Sequence, residues 1–521
     1  MNFEELREKY KYFYYNSFEI TDGKNEVTLK FDFEIPNLAH FYPTISILKK
    51  NFKFKDVNSE QSKNMVFNIG MIELISYWKC ACPKNVIIKC GYLNDEQISF
   101  WKKLYFNGLG ELFYRNNIKT DIDNFMNIEI NDESVLNEKA NACDVKNSAC
   151  DIKKLNNNLT ENKISFDKLS QDNLTINHEI MDISNQKTEN EKTNNEYTGV
   201  NCSENNEINS PSSGYIVPIG GGKDSVVTLE TLPLKRKEDY CLIINPKPVT
   251  LKCAYLAGFE NDNIIEINRK IDKNLIDLNS KGFINGHTPF SAMLAFTSYF
   301  VAYLLNKKYI SLSNENSANE SNVKGQNINH QYSKSFEFEC DFENYADKYL
   351  RAQVKYFSFL RPLNELQIAK LFSKHEKYFK VFKSCNVGSK GKEWIWCCNC
   401  AKCLFAFTIL SPYLYKEKIV DIFGEDLFDK KSLLDIFIEL TGNGEYKPFD
   451  CVGTYEEVNY AITYVINKLE KEKMELPYLL KYYKEHYKLA DMSQDLTKRY
   501  NENNNLTKEQ NDILKKAIFE D

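Results

Sequence analysis

Several things are scarce in this sequence, and each scarcity excludes something. No long apolar run is present. The longest, AMLAFTSYFVAYLL at 292–305, has 14 residues and includes Thr, Ser and Tyr, against the roughly 20 that a membrane-crossing helix needs. It reads as a buried helix. The opening residues, MNFEELREKYKYFYYN, are charged and aromatic with no apolar core, so no secretory signal is expected and a cytoplasmic location is. Positive charge is not in excess: 67 Lys and Arg face 73 Asp and Glu, a formal net charge of −6. That balance disfavours nucleic acid or an anionic membrane as partner. No internal repeat is visible. The 15 cysteines are scattered through Lys-rich sequence and only one tight cluster has ligand-like spacing, which indicates reduced thiols and not a disulfide framework.

What is present divides into regions. At 521 residues the chain is long enough for two or three cores. Residues 1–130 alternate strand-like runs (VTLKFDFEI, KNVIIKCGY) with helical ones (MVFNIGMIELISYW, ISFWKKLYFNGLGELFY) and predict a small α+β domain. Residues 131–212 are rich in Asn, Glu, Lys, Ser and Asp and poor in aromatics. They bury too little apolar surface to offset their ordering entropy, so a disordered or loosely helical insertion is expected. From 213 to 384, YIVPIG, YCLIINP, NIIEIN and KYISLSNE read as strands between helical segments, which predicts an α/β domain on a parallel sheet. Residues 385–521 form a cysteine-bearing, helical remainder.

The first strand of the α/β region runs into GGGKDS at 220–225. A strand, a glycine loop and a helix start together present backbone N–H groups to an anion. This is not a Walker A loop, because Lys223 is followed by Asp224, and it is not a dinucleotide GxGxxG. It resembles the SGGxDS pyrophosphate loop of the N-type ATP pyrophosphatases, the PP-loop enzymes, with their HUP-like domain. That resemblance implies ATP binding through Gly220, Gly221, Gly222, Lys223, Asp224 and Ser225, with Asp224 holding either Mg²⁺ or the N-cap geometry of Ser225. The first Ser of the general motif is Gly here, so one hydroxyl donor is missing.

A second motif reads SCNVGSKGKEWIWCCNCAKC. Cys385, Cys397, Cys400 and Cys403 are spaced as C-x11-C-x2-C-x2-C, which suits structural Zn²⁺. An iron–sulfur cluster or redox thiols remain alternatives. Cys397 is preferred over Cys398 because it keeps the x2 spacing.

Seven phrases, GGGKDS, NGHTPFSAM, SNENSANES, NHQYSKS, FLRPLNEL, SCN…WCCNCAKC and YKPFDCVG, follow in that order between 214 and about 465. Together they are similar to the UDP-N-acetylmuramoyl-L-alanyl-L-glutamate epimerase (MurL) family; the insertion at 131–212 departs from it. The resemblance implies an ATP- and Mg²⁺-dependent enzyme that inverts the terminal L-Glu of UDP-MurNAc-L-Ala-L-Glu through an acyl-adenylate. AMP and pyrophosphate would be released, and the partner would be a nucleotide-linked muropeptide. Within the family phrases, Glu315 and His287 are the candidate acid and base, beside Asp224. Asn285, Asn314 and His330 are candidate substrate contacts, and Arg361 and Lys447 candidate anion ligands. Two other readings stay open: a different adenylating PP-loop enzyme (7-cyano-7-deazaguanine synthase-like or tRNA-modifying), or a non-catalytic nucleotide- or zinc-binding interaction protein.

Overall fold

A computed structural model describes residues 2–131, 212–320, 329, 331–391 and 394–520. The Asn-rich insertion expected at 131–212, apart from its two end positions, and His330 lie outside the described residues.

Eleven strands among the described residues make one sheet. In chain order they are β1 (Tyr12–Asp22), β2 (Glu26–Ile35), β3 (Ala39–Phe41), β4 (Thr44–Leu48), β5 (Asn85–Ile88) and β6 (Asn127–Ile130). Then come β7 (Ser212–Pro218), β8 (Tyr240–Ile244), β9 (Ile264–Lys270), β10 (Lys307–Leu312) and β11 (Lys355–Ser358). Their order across the sheet is β11-β10-β7-β8-β9-β4-β2-β1-β5-β6, with β3 beside β2. The β11-to-β9 block is parallel throughout. The joins β9–β4, β4–β2 and β2–β1 are antiparallel, and β1, β5 and β6 are parallel again. The result is a mixed α/β fold on a largely parallel sheet, with the expected parallel strands at β7–β10 and the strands before 131 joined to the same sheet.

Alternation along the central strands explains why both faces are covered. Ile216, Leu242, Ile265 and Ile267 enter one core, while Val217, Cys241, Ile243 and Ile264 enter the other. Each fully buried side chain of this kind stabilises by about 1.5–3 kcal/mol, so neither face can be left to water. The helices Glu60–Trp78 and Phe290–Leu304 pack together on the first face. Lys223–Thr231, Glu365–Ser373, Ala401–Leu410 and Tyr455–Lys471 fill the second. Residues before 131 and after 212 thus share a sheet, through Ile47 opposite Ile267, and share an apolar core.

The sequence reading placed no strand at β1, the longest strand. Its burial alternates only over Phe13 and Tyr15 before a bulge between Tyr15 and Ser17, so the period-2 signal ends early. Among the described residues no helix is long and apolar enough to cross a membrane.

Candidate functional site

The parallel block reverses direction at β7. From β7 the chain moves through β8 to β9 on one side, then crosses to β10 on the other. Ligands in open α/β sheets bind outside the carboxyl ends of the strands at such a switch point. The loop after β7 is Ile219–Gly222, the loop after β10 carries Asn314 and Glu315, and the loop after β11 leads to Arg361 and Glu365.

Gly221 has φ +79°, and a Cβ there would meet Thr250 Cγ2 at 3.2 Å, so both conformation and space call for glycine. Gly222 caps the helix Lys223–Thr231 with no side-chain hydrogen bond, which leaves the helix N-terminus open to an anion. Ser225 Oγ turns back to accept from Gly220 N at 3.3 Å. Lys223 departs from expectation. Its ammonium is buried and points inward to Asp224 and Glu365 instead of out of the loop. Burial alone would lower its pKa, but Asp224, Glu365 and Glu315 outweigh burial and raise it.

Glu365 was not singled out from the sequence. It opens the helix Glu365–Ser373 behind the N-cap Asn364 and is 3 % exposed. Burial raises its carboxyl well above the ordinary range. Lys223 opposes that rise, while Asp224, Glu315 and Glu457 add to it. Glu457 is buried too and accepts from Glu365 N at 2.7 Å. Gly453 packs between them: a Cβ would lie 2.8 Å from Glu457 Oε2 and 3.1 Å from Glu365 Cγ. Three carboxyl groups, Asp224, Glu365 and Glu315, therefore act on the inward Lys223.

The strand-end loops are tied together. Asn314 Nδ2 donates to Ser358 Oγ at 3.2 Å. Arg361, expected to bind an anion of the substrate, is fully buried in this stitching. Its Nη1 donates to Glu315 O at 2.8 Å and its Nη2 to Lys334 O at 2.6 Å, with Glu339 Oε2 3.0 Å from Nη2. A buried counter-charge has claimed it. Lys447, the other expected anion ligand, is 1 % exposed and pairs with Glu320. Both act inside the fold, which composition cannot distinguish from a surface role.

A cavity of about 330 Å³ has His287, Gln331, Lys334, Asp450 and Cys451 on its wall, and the Lys334 ammonium also interacts with Glu315 and Asp224. The His287 loop is fixed from the N-terminal half. Ile284 N donates to Cys80 O at 3.1 Å and Lys79 Nζ to Gly286 O at 2.7 Å. Asn285 is exposed, its Oδ1 accepting from Gly286 N at 2.9 Å, and does not line the cavity.

Behind the glycine loop the four expected cysteines converge. The thiol sulfurs of Cys385, Cys397, Cys400 and Cys403 all lie within 4.8 Å of one another, with Cys385–Cys400 at 3.9 Å, Cys397–Cys403 at 3.8 Å and Cys400–Cys403 at 3.5 Å. A tetrahedron of ~2.3 Å Zn–S bonds places its sulfurs about 3.8 Å apart. Gly388 N donates to Cys385 Sγ at 3.1 Å, the outer-shell contact a thiolate ligand uses. Cys398 points elsewhere, donating to Phe423 O at 3.1 Å. Lys383, two residues before Cys385, donates its N–H to Gly221 O at 3.0 Å, so the cluster and the loop are braced together.

Fold and site define a mixed α/β protein with a glycine loop at a switch point and a four-cysteine cluster compatible with zinc behind it. Family models narrow this. The MurL N-terminal domain matches residues 4–151 and 178–359, and the MurL C-terminal domain matches 381–496. The chain belongs to the MurL family. Similar curated proteins carry the name UDP-N-acetyl-alpha-D-muramoyl-L-alanyl-L-glutamate epimerase. One from Micromonospora sp. is 36% identical over 249 residues, 47% of this chain and 55% of its own length. One from Xanthomonas oryzae pv. oryzae is 33% identical over 261 residues, 49% and 57% respectively. The chain thus spans about half the length of the curated relatives it matches.

Proposed function

We propose that this protein is an ATP-dependent, AMP-forming epimerase that converts the terminal L-Glu of UDP-MurNAc-L-Ala-L-Glu to D-Glu in peptidoglycan precursor synthesis. The observation that carries the reading is the open glycine loop and helix N-terminus beside the Asp224–Glu315–Glu365 cluster, which Lys334 links to a cavity. Family membership and the names of the relatives support the substrate.

The chemistry needs activation. An α-proton beside an ionised carboxylate is hard to remove, because the carbanion would form next to negative charge. Adenylation removes that charge and turns the carbonyl into an electron sink; hydrolysis later returns the free acid. In this reading the N–H groups of the PP-loop-like segment 220–225 receive the pyrophosphate end of ATP. Asp224, with Glu365 beside it on Lys223, would hold Mg²⁺, which would supply charge neutralisation at the phosphates. Cys385, Cys397, Cys400 and Cys403 would hold Zn²⁺ with no open position, a structural role. Glu315 and Asn314 sit on the loop facing the glycines, and His287 stands on the cavity as a proton carrier. Arg361 positions the Glu315 and Lys334 loops.

The test is incubation with ATP, Mg²⁺ and UDP-MurNAc-L-Ala-L-Glu, followed by assay of AMP and of D-Glu after acid hydrolysis. Substrate-dependent AMP together with D-Glu is expected. AMP with no D-Glu refutes the epimerase, and Asp224→Ala with undiminished AMP release refutes the assignment of the loop.

A further inference from the structure

Cys451 falls in YKPFDCVG, a phrase from which the sequence reading took only Lys447. In the structure it lines the cavity that also holds His287. Lys334 Nζ donates to Cys451 Sγ at 3.0 Å. The Lys334 ammonium is held charged against burial by Cys451, Glu315 and Asp224, so one lysine faces both the thiol and the acidic cluster. Lys334 and Lys402, against burial and Asp450, bring the thiol below its ordinary value. Burial instead pushes up the thiols of Cys80, Cys82, Cys241 and Cys253. A second observation points to a ligand. Gln331 is 3 % exposed, lines the same cavity, and its Oε1 accepts no hydrogen bond from the described residues. A buried acceptor left without a donor is destabilising, and an N–H from a bound molecule would satisfy it.

We propose that Cys451 is a catalytic residue, the thiol that carries the α-proton of the terminal Glu, while Gln331 Oε1 accepts the N–H of that residue's peptide bond. This rests on the function proposed above. The Cys451 thiolate takes the α-proton: an S–H bond forms, the Cα–H bond breaks, and its electron pair moves into the activated carbonyl as an enolate. His287, the second proton carrier on this cavity, returns a proton to the opposite face as the enolate collapses. No oxidant or reductant is required, and the two groups reset by exchange with water.

The experiment runs the parent, Cys451→Ser and Cys451→Ala in D₂O with ATP, Mg²⁺ and UDP-MurNAc-L-Ala-L-Glu, and measures AMP, α-deuterium and D-Glu separately. The parent is expected to give all three. Both variants are expected to keep AMP release within about 3-fold and to lose α-deuterium and D-Glu by about 10²–10⁴-fold, the range for one general acid–base group. Exchange and inversion at the parent rate in Cys451→Ser overturn the proposal. So does an equal loss of AMP release and exchange, which marks a structural role. A parent that releases no AMP or makes no D-Glu refutes the epimerase itself, an outcome read without either variant.

Discussion

Replacing Lys223 by Met tests the inward acidic cluster directly. Lys223 is 5 % exposed and Glu365 3 %, so removing the ammonium leaves a buried carboxylate with no cation. Breaking a buried pair from one side costs about 3–5 kcal/mol. Asp224 adds little to that, because its side chain is 34 % exposed and water can solvate it. Glu365→Gln in the same chain removes the stranded charge, so the double variant is expected within about 2 kcal/mol of the parent, and the coupling between the sites to reach about 2–3 kcal/mol. The pH dependence has a fixed sign. Glu365 already sits above its ordinary carboxyl value of 4.5, and without Lys223 it rises further. The folded variant then binds a proton that the unfolded chain releases. The penalty is therefore smallest in acid and grows as pH rises past the parent's own raised Glu365 value. Urea unfolding of the four proteins, followed by far-UV circular dichroism at acidic and neutral pH, measures all of this. A Lys223→Met penalty under about 1 kcal/mol, or no recovery on adding Glu365→Gln, refutes the picture of a lysine neutralising a buried acidic cluster.

Three further outcomes follow. Cys403→Ser is expected to lower bound zinc, measured by elemental analysis of purified protein, and to lower the unfolding temperature, while Cys398→Ser keeps the parent's zinc content; equal zinc loss in both contradicts the ligand set. Gly221→Ala places a β-carbon at φ +79° and 3.2 Å from Thr250, costing about 1–2 kcal/mol. Substrate-dependent AMP release should fall at least several-fold, and an unchanged rate removes the loop from phosphate binding. Mg²⁺ should raise the unfolding temperature more at neutral pH than near pH 5, because the raised carboxyl of Glu365 must lose its proton to bind it. A pH-independent shift, read by differential scanning calorimetry, contradicts cation binding there.

Much of the α/β half was legible. The strands β7 to β10 and the helix Phe290–Leu304 announce themselves because strands buried on both faces are continuous apolar runs bounded by turns. The cysteine cluster was legible for a different reason: thiolate spacing near a metal is set by local backbone reach, so C-x2-C predicts convergence without tertiary information. What sequence did not disclose were residues whose role depends on long-range placement. Glu365 meets Lys223 across 142 positions and Cys451 meets Lys334 across 117. Both lay inside recognised phrases, yet nothing local separates a buried acid from a helix-opening one. Arg361 shows the converse: an arginine in a strand-end loop suits an anion, until Glu339 from a neighbouring helix takes it.

The strand order also constrains evolution and engineering. β6, where the first half of the chain leaves the sheet, is its far edge, whereas β7, where the second half enters, is seven strands away in the parallel block. With neighbouring strands about 4.8 Å apart, the crossing is about 34 Å. The strand directions put the end of β6 and the start of β7 on the same side of the sheet, so a connection of about ten extended residues suffices. The long polar segment between 131 and 212 thus far exceeds the geometric minimum. Shortening it as far as that threshold leaves the strand order attainable. Below it, the two halves can no longer belong to one sheet unless they are encoded as two chains.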